Sequence, residues 1–240
     1  MNFYERFYLG SKIQKKIIDS KNFTYRNLIG VLSHYVKKGS KVLDVGCGVG
    51  TLSFYLASKD MKVLGLDLSR KAIRLACENA KSLGVSKMTN FYVSGFPSDK
   101  VKGKFDLIVM SEVLEHMSND IEVIKYVAQF LKNNGIVLVS VPLKSAPLYR
   151  LGLLHNFDER VGHLRRYSVN DIYLLLRENG LKVVYTGKFE GAFRNLFFVT
   201  PWLGHLIKFY QGFASDVISY LDKISLSIFG ASQVIVVAKK

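Results

Sequence analysis

The chain has 240 residues, 49% of them hydrophobic, and a formal net charge of +15. That length and apolar share suffice for one domain with a full core and exclude a disordered chain. Two cysteines, Cys47 and Cys77, show no CxxC spacing and no disulfide framework, which favours a reducing, cytoplasmic setting.

The first ten residues are aromatic and charged and read as lacking the apolar core of a signal segment. The basic excess is spread along the chain, with mild enrichment before residue 40. It fits phosphate, nucleic acid or a lipid surface, and it fits equally an ordinary Lys-rich exterior.

Residues 2–18 read as a helix with Phe3, Tyr4, Phe7 and Tyr8 near its start, and residues 23–37 as a second that stops at Gly39. Strands are predicted at 41–45, 62–66, 88–93, 104–110 and 135–141, with helices at 51–59, 70–83 and 119–132 between them. Ser69 reads as the N-cap of the helix at 70–83 and Gly84 as its stop. This alternation calls for a mainly parallel, doubly wound α/β sheet with helices on both faces.

After Pro142 a loop is expected to run to Tyr167. Ser168 and Asp171 then resemble a capping box opening a helix that ends at Gly180. A strand at 181–188, an apolar insertion at 190–229 and a last strand at 234–238 complete the chain. The whole reads as a single domain, 1–240, with an N-terminal helical cap (1–38) and a helical lid (190–229).

The insertion's charge-free piece, Asn195 to Ile207, has Pro201 and His205 inside it and is too short to span a membrane. Trp202, the Phe residues, Arg194 and Lys208 have the composition of an interfacial helix. A lid over the substrate or a dimer surface accounts for the same residues.

Chemistry concentrates first at Val42-Leu43-Asp44-Val45-Gly46-Cys47-Gly48-Val49-Gly50-Thr51. An apolar run ends in an acid, and glycines at alternate positions lead into a helix. Such a turn lets a ligand approach backbone N–H groups closely. The spacing Gly-x-Gly-x-Gly differs from the Gly-x-Gly-x-x-Gly of dinucleotide sites. Asp44 would repel a pyrophosphate and suits a nucleoside with an ammonium-bearing tail. Asp67 ends the next apolar run, where doubly wound folds present a carboxylate to ribose.

Val42 to Ala57 resembles the first motif of class I S-adenosylmethionine-dependent methyltransferases. Gly65-Leu-Asp67-Leu-Ser69 resembles their second, Phe105 to Met117 their fourth and Leu131 to Val139 their fifth. The resemblance covers about residues 40–190 and implies a seven-stranded sheet with an antiparallel last strand. It implies S-adenosylmethionine as methyl donor. Asp44, Gly46, Cys47, Gly48 and Gly50 would line its methionine side, Asp67 and Leu68 its ribose, and Ser111 and Glu112 its tail. The family's usual acid after the third strand is missing. Ser94-Gly95-Phe96-Pro97 stands there, so either Phe96 stacks on adenine or Asp99 reaches back.

Glu112, Glu115 and His116 share a face if a helical turn begins there. This Glu-x-x-Glu-His pattern resembles the metal-binding motif of ubiquinone-pathway O-methyltransferases and of small-RNA 2′-O-methyltransferases, with His163 as the added ligand. A divalent ion fits the donors, yet the pattern does not require one. Without it, His116 or His163 serves as general base beside Glu115, or is structural. Arg165, Arg166 and Tyr167 suit an anionic group of the acceptor, or else pair with Asp158, Glu159 or Asp171.

No Asn/Asp-Pro-Pro-Tyr/Phe follows the fourth strand, which disfavours base N-methylation. No cysteine lies in the fourth or fifth motif, which disfavours cysteine-dependent C5 methylation. The expected activity is O-methylation of a small molecule, lipid precursor or glycan, with peripheral membrane contact through 190–229. The rivals are an RNA ribose 2′-O-methyltransferase, for which nucleic acid would be the partner, a non-catalytic donor-binding protein, and a nicotinamide oxidoreductase.

Overall fold

In a computed structural model, the structure describes residues 5, 8, 13–99, 101–200, 203 and 213–240. Helix α1 (Arg26–Leu32) precedes β1 (Lys41–Val45), α2 (Thr51–Ala57), β2 (Lys62–Asp67), α3 (Arg70–Ser82), β3 (Thr89–Val93) and β4 (Phe105–Ser111). Then follow α4 (Asp120–Phe130), β5 (Leu131–Pro142), α5 (Pro147–Arg150), α6 (His155–Val161), α7 (Val169–Glu178) and β6 (Lys182–Phe189). Helices α8 (Ala192–Val199) and α9 (Phe213–Phe229) lead to β7 (Gln233–Lys239).

The seven strands form one sheet in the order β3-β2-β1-β4-β5-β7-β6. β1 pairs in parallel with β2 and β4, and β5 in parallel with β4. β7 runs antiparallel to both neighbours, from Pro142 opposite Gln233 to Ile136 opposite Lys239. Side chains alternate across the sheet, so each strand feeds two cores. Leu43, Val45, Ile108 and Met110 enter one apolar cluster, and Val42, Leu107 and Val109 the other. Strand order reverses between β1 and β4, and ligands of open α/β sheets bind at such a reversal, beyond the carboxyl ends of the strands.

The helix starts follow local chemistry. Ser69 Oγ accepts from the Ala72 N–H at 3.1 Å, as expected of an N-cap. Ser168 and Asp171 close a full capping box, with bonds of 3.1 and 2.8 Å.

Several expectations are corrected. Residues 13–18 are irregular, and the helix read at 2–18 otherwise lies outside the described residues apart from Glu5 and Tyr8. The second helix is confined to α1. The presumed loop 143–167 contains α5 and α6, neither of which has a side-chain cap to announce it. Pro201, Trp202, His205 and Lys208 lie outside the described residues.

Helix α9 is inside out. Ser215, Asp222 and Ser225 are buried, while Val217, Tyr220, Leu221, Ile224 and Ile228 are 40% to 66% exposed along one stripe. The polar face is drawn inward by hydrogen bonds. Arg26 donates to Ser215 O at 3.1 Å, and Asp222 accepts from Gly191 N at 2.9 Å and Arg194 N at 2.7 Å.

The capping box predicts a local energy. Ser168→Ala is expected to destabilise the protein by about 1 kcal/mol. A lower urea midpoint at unchanged slope would show it.

Candidate active site

A cavity of about 530 Å³ opens at the β1/β4 reversal. Its floor is the turn after β1, where Gly46 and Gly48 have φ of 70° and 55°. Gly46 has no room for a side chain, because an added Cβ would lie 2.4 Å from Val113 Cγ2. Gly48 is covered by Tyr8, whose hydroxyl would lie 2.9 Å from such a Cβ. The turn is braced by Asp67: Oδ2 accepts from Gly48 N and Oδ1 from Ser69 N, both at 2.9 Å. A carboxylate has about four acceptor positions, so these two bonds leave capacity toward the cavity.

Gly46, Cys47, Gly48, Asp67, Leu68 and Phe96 all line this end of the cavity, and Ser111 and Glu112 line it at the end of β4. Asp44 and Gly50 do not. Asp44 is buried beneath the turn, where its Oδ2 accepts from Ser53 Oγ at 2.6 Å. Burial, opposed by the Ser53 bond and reinforced by Asp67, pushes its carboxyl up to about 7. Gly50 begins α2 at φ 88°. Asp99 Oδ2 accepts from Gly95 N at 2.7 Å and does not line the cavity. Of the two adenine-side alternatives, Phe96 is the one that faces the space.

Beyond Glu112 the expected helical turn is replaced by a tight 3₁₀ turn over Leu114–His116. Glu112 has φ 54°, outside any helix, and its Oε1 accepts from Ser140 Oγ at 2.9 Å and Gln233 Nε2 at 3.0 Å. It therefore does not join Glu115 and His116 on one face. His163 joins them instead. One ligand atom from each of Glu115, His116 and His163 lies within 4.8 Å of the others.

His163 Nδ1 is 2.8 Å from Asp158 Oδ1, and Arg166 holds the same carboxylate with bonds of 2.7 and 2.6 Å. The His163 Nε2 edge then faces Glu115 at 3.8 Å. His116 Nδ1 lies 2.9 Å from Gly162 O, which fixes that nitrogen as the protonated one of a neutral ring. Burial pushes His116 down, away from the charged form.

Glu115 is fully buried, and neither carboxylate oxygen finds a hydrogen-bond partner among the described residues. Burial first, then Glu112, drives its carboxyl well above the usual range. An orphaned carboxyl beside two imidazoles fits a divalent ion, with nitrogen and oxygen donors of intermediate softness.

The acceptor-anion role expected of Arg165, Arg166 and Tyr167 does not match this geometry. Arg165 pairs with Asp120 at 2.8 Å and donates to Ser118 O, and the Tyr167 hydroxyl donates to Asp120 at 2.8 Å. Neither lines the cavity, and Arg166, which does, is consumed by Asp158. Arg166 thus follows the other alternative, pairing with Asp158. Tyr25, Glu190, Asn195 and Ser232 line the cavity without being singled out from the sequence, where Tyr8 reads only as part of the N-terminal cap. An acid beside Gly191 in an otherwise apolar insertion was the available signal for Glu190.

A family model described as a methyltransferase domain matches residues 19–186. The chain therefore belongs to the class I S-adenosylmethionine-dependent methyltransferases. It is 34% identical over 116 residues to the ubiquinone biosynthesis O-methyltransferase of Ralstonia nicotianae, covering 48% of this chain and 49% of that one. It is 36% identical over 107 residues to phosphoethanolamine N-methyltransferase 1 of Arabidopsis thaliana, covering 44% of this chain and 21% of that one. The chain thus spans about half or less of these relatives' lengths.

Magnesium protoporphyrin IX methyltransferase from Synechocystis PCC 6803, solved with bound SAH, superposes with a TM-score of 0.63. It is 19% identical, over 99% of this chain and 93% of that one. That likeness shows the fold.

Asp44 links charge to pH. Its native carboxyl titrates near 7 against an ordinary value of 3.8. The donor-free fold therefore loses stability as pH rises from about 4 to 7, while a cationic ligand gains affinity over the upper part of that range. Asp44→Asn is expected to raise the melting temperature of the donor-free protein at about pH 8. It should also weaken S-adenosylmethionine binding about tenfold or more and flatten its pH dependence. Calorimetric titration at several pH values measures both.

Proposed function

We propose that the chain transfers a methyl group from S-adenosylmethionine to an oxygen of a small-molecule, lipid-precursor or glycan acceptor. The observation that carries this reading is one continuous cavity joining the glycine turn and Asp67 to His116 and His163. The first end suits an adenosyl donor with a cationic tail, given the glycine turn and the acids Asp44 and Asp67 around it. The second end holds a base.

The O-methyltransferase among the relatives supports oxygen as the acceptor atom. Asp158 and Arg166 orient His163 so that Nε2 can take the proton of an acceptor hydroxyl. Walls around donor and acceptor exclude water and align the two for in-line displacement. Glu115, His116 and His163 are the residues that would hold a divalent ion, which would lower the hydroxyl's pKa and orient it.

Radiolabelled methyl transfer into lipid, glycan, small-molecule and RNA fractions of a host extract tests the reading. Label is expected outside the RNA fraction; label in RNA would sink it. His163→Ala is expected to lower the rate about 10²-fold while leaving donor affinity unchanged. A rate indifferent to both His163→Ala and chelator would remove base and metal alike.

The same reading takes the exposed stripe of α9 as a contact with an anionic lipid surface. No helix among the described residues is long and apolar enough to cross a membrane. Exposed Phe193 and Leu196 of α8, which packs against α9, extend the stripe. Lys223, Arg150 and Arg160 are exposed on α9 itself and on the nearby α5 and α6, in a chain of net charge +15. Ile224→Glu with Ile228→Glu is expected to abolish sedimentation with vesicles containing phosphatidylserine. A change of oligomeric state instead would assign the stripe to a second copy.

A further inference from the structure

We infer that the end of the cavity formed by Glu112, Glu190, Asn195 and Ser232 receives a protonated amine carried by the methyl acceptor. This inference rests on the methyl-transfer reading and names the class of acceptor.

All four residues line the cavity. Ser232 is 2% exposed, yet its hydroxyl finds no hydrogen-bond partner among the described residues, and neither does Asn195 Oδ1. The Ser232 N–H donates to Glu190 O at 2.6 Å, which ties the hydroxyl-bearing residue to the glutamate.

The neighbouring cations do not fill this space: Arg194 holds Glu190 from outside the cavity, and Arg166 is taken by Asp158. Arg194 is 1% exposed and does not line the cavity. Its Nε donates to Glu190 Oε1 at 3.2 Å, its Nη2 donates to Phe23 O, and its guanidinium stacks 4.3 Å over the Phe23 ring. Arg166 is bound to Asp158 through two nitrogens. Two carboxylates, an amide oxygen and a hydroxyl therefore face this space. An ammonium group is their complement, being three donors and no acceptor with the opposite charge. A carboxylate or phosphate would meet two carboxylates of like charge.

The backbone marks the same two acids. The described non-glycine residues with positive φ are Asp60, Glu112, Asn134 and Glu190. Asp and Asn tolerate that region through short side chains; glutamate does not share the advantage. Glu112 at 54° and Glu190 at 60° are held there by their surroundings, as strained residues at ligand sites are. Burial also pushes the Glu190 carboxyl up to about 7, with Arg194 opposing and Glu112 reinforcing. A cation between the two acids relieves that repulsion.

Leu28, Phe157 and Val161 line the cavity as well and suit an apolar body next to the amine. A protonated nitrogen has no lone pair, so the anchored amine is not the atom methylated. The sulfur–carbon bond breaks as an oxygen–carbon bond forms, and the hydroxyl proton passes to His163 Nε2.

Calorimetry on the full chain saturated with S-adenosylhomocysteine, using octylamine, octanol and octanoate at about pH 8, tests the assignment. Octylamine is expected to bind at least about tenfold more tightly than the other two. Glu190→Gln and, as a smaller change, Ser232→Ala are each expected to weaken octylamine about tenfold and leave S-adenosylhomocysteine binding unchanged. Equal binding of octanol or octanoate overturns the inference. So does a loss of S-adenosylhomocysteine affinity in Glu190→Gln, which would give this end of the cavity to the donor. Failure of the unaltered protein to bind S-adenosylhomocysteine overturns the methyl-transfer reading, and this one with it.

Discussion

The site depends on how closely β1 and β4 end beside each other at the reversal of strand order. Gly46 lies against Val113, with no space for a Cβ between them. That approach is what lets the turn after β1 and the residues after β4 share one cavity. A side chain at Gly46 would have to push the 3₁₀ turn away, and Glu115 and His116 ride on that turn. The glycine turn and the turn that carries Glu115 and His116 are thus positioned by one contact between the ends of two neighbouring strands, and left-handed φ at Gly46 is its requirement.

Charge is arranged against the overall composition. The chain is strongly basic, yet Asp67, Glu112 and Glu190 line its cavity, with Asp44 and Glu115 buried close by. Buried like charges raise one another's pKa and weaken the fold unless a cation joins them. The structure supplies some cations itself. Arg166 answers Asp158, and Arg194 answers Glu190. Asp44 accepts from Ser53, and burial pushes its carboxyl up to about 7, a poise that suits a ligand arriving with positive charge.

Much of the framework was legible because its signals are local. Most strand boundaries follow apolar runs, although β5 starts at Leu131, inside the helix expected at 119–132. Ser69 and Ser168 announce their helices, and the alternating glycines need nothing beyond β1 and α2 to be recognised. The second half of the site was less legible. The helical-face reading of Glu112, Glu115 and His116 assumed regular φ, and Glu112 adopts a left-handed one because Ser140 and Gln233 hold its carboxylate.

The arginines after His163 looked like ligand-binding cations. Asp158, in α6 just before them, is a partner the sequence itself offers. Asp120 opens α4, with β5, α5 and α6 between it and Arg165, so only the folded chain brings that pair together. Periodicity has a related limit. It reveals that α9 has two unlike faces, but it cannot say which one turns inward.

That orientation is set by Asp222 of α9, which is held by backbone N–H groups at Gly191 and Arg194, and by Arg26. A guanidinium in the insertion must be satisfied wherever it is buried, and it can be satisfied only among oxygens. Glu190, Phe23 O and Thr24 O meet the side chain of Arg194, while Asp222 takes its backbone N–H. Asp222 also takes the N–H of Gly191, where a Cβ would lie 2.7 Å from the backbone of α9. α8 and α9 are therefore locked together through polar groups, and the serines beside Asp222 come inward with it. The apolar residues of α9 are left outside as a consequence. Arg194 thus joins both sides of the insertion: its guanidinium backs the carboxylate presented to the cavity, and its backbone N–H helps hold Asp222 inward, which leaves the apolar stripe outside.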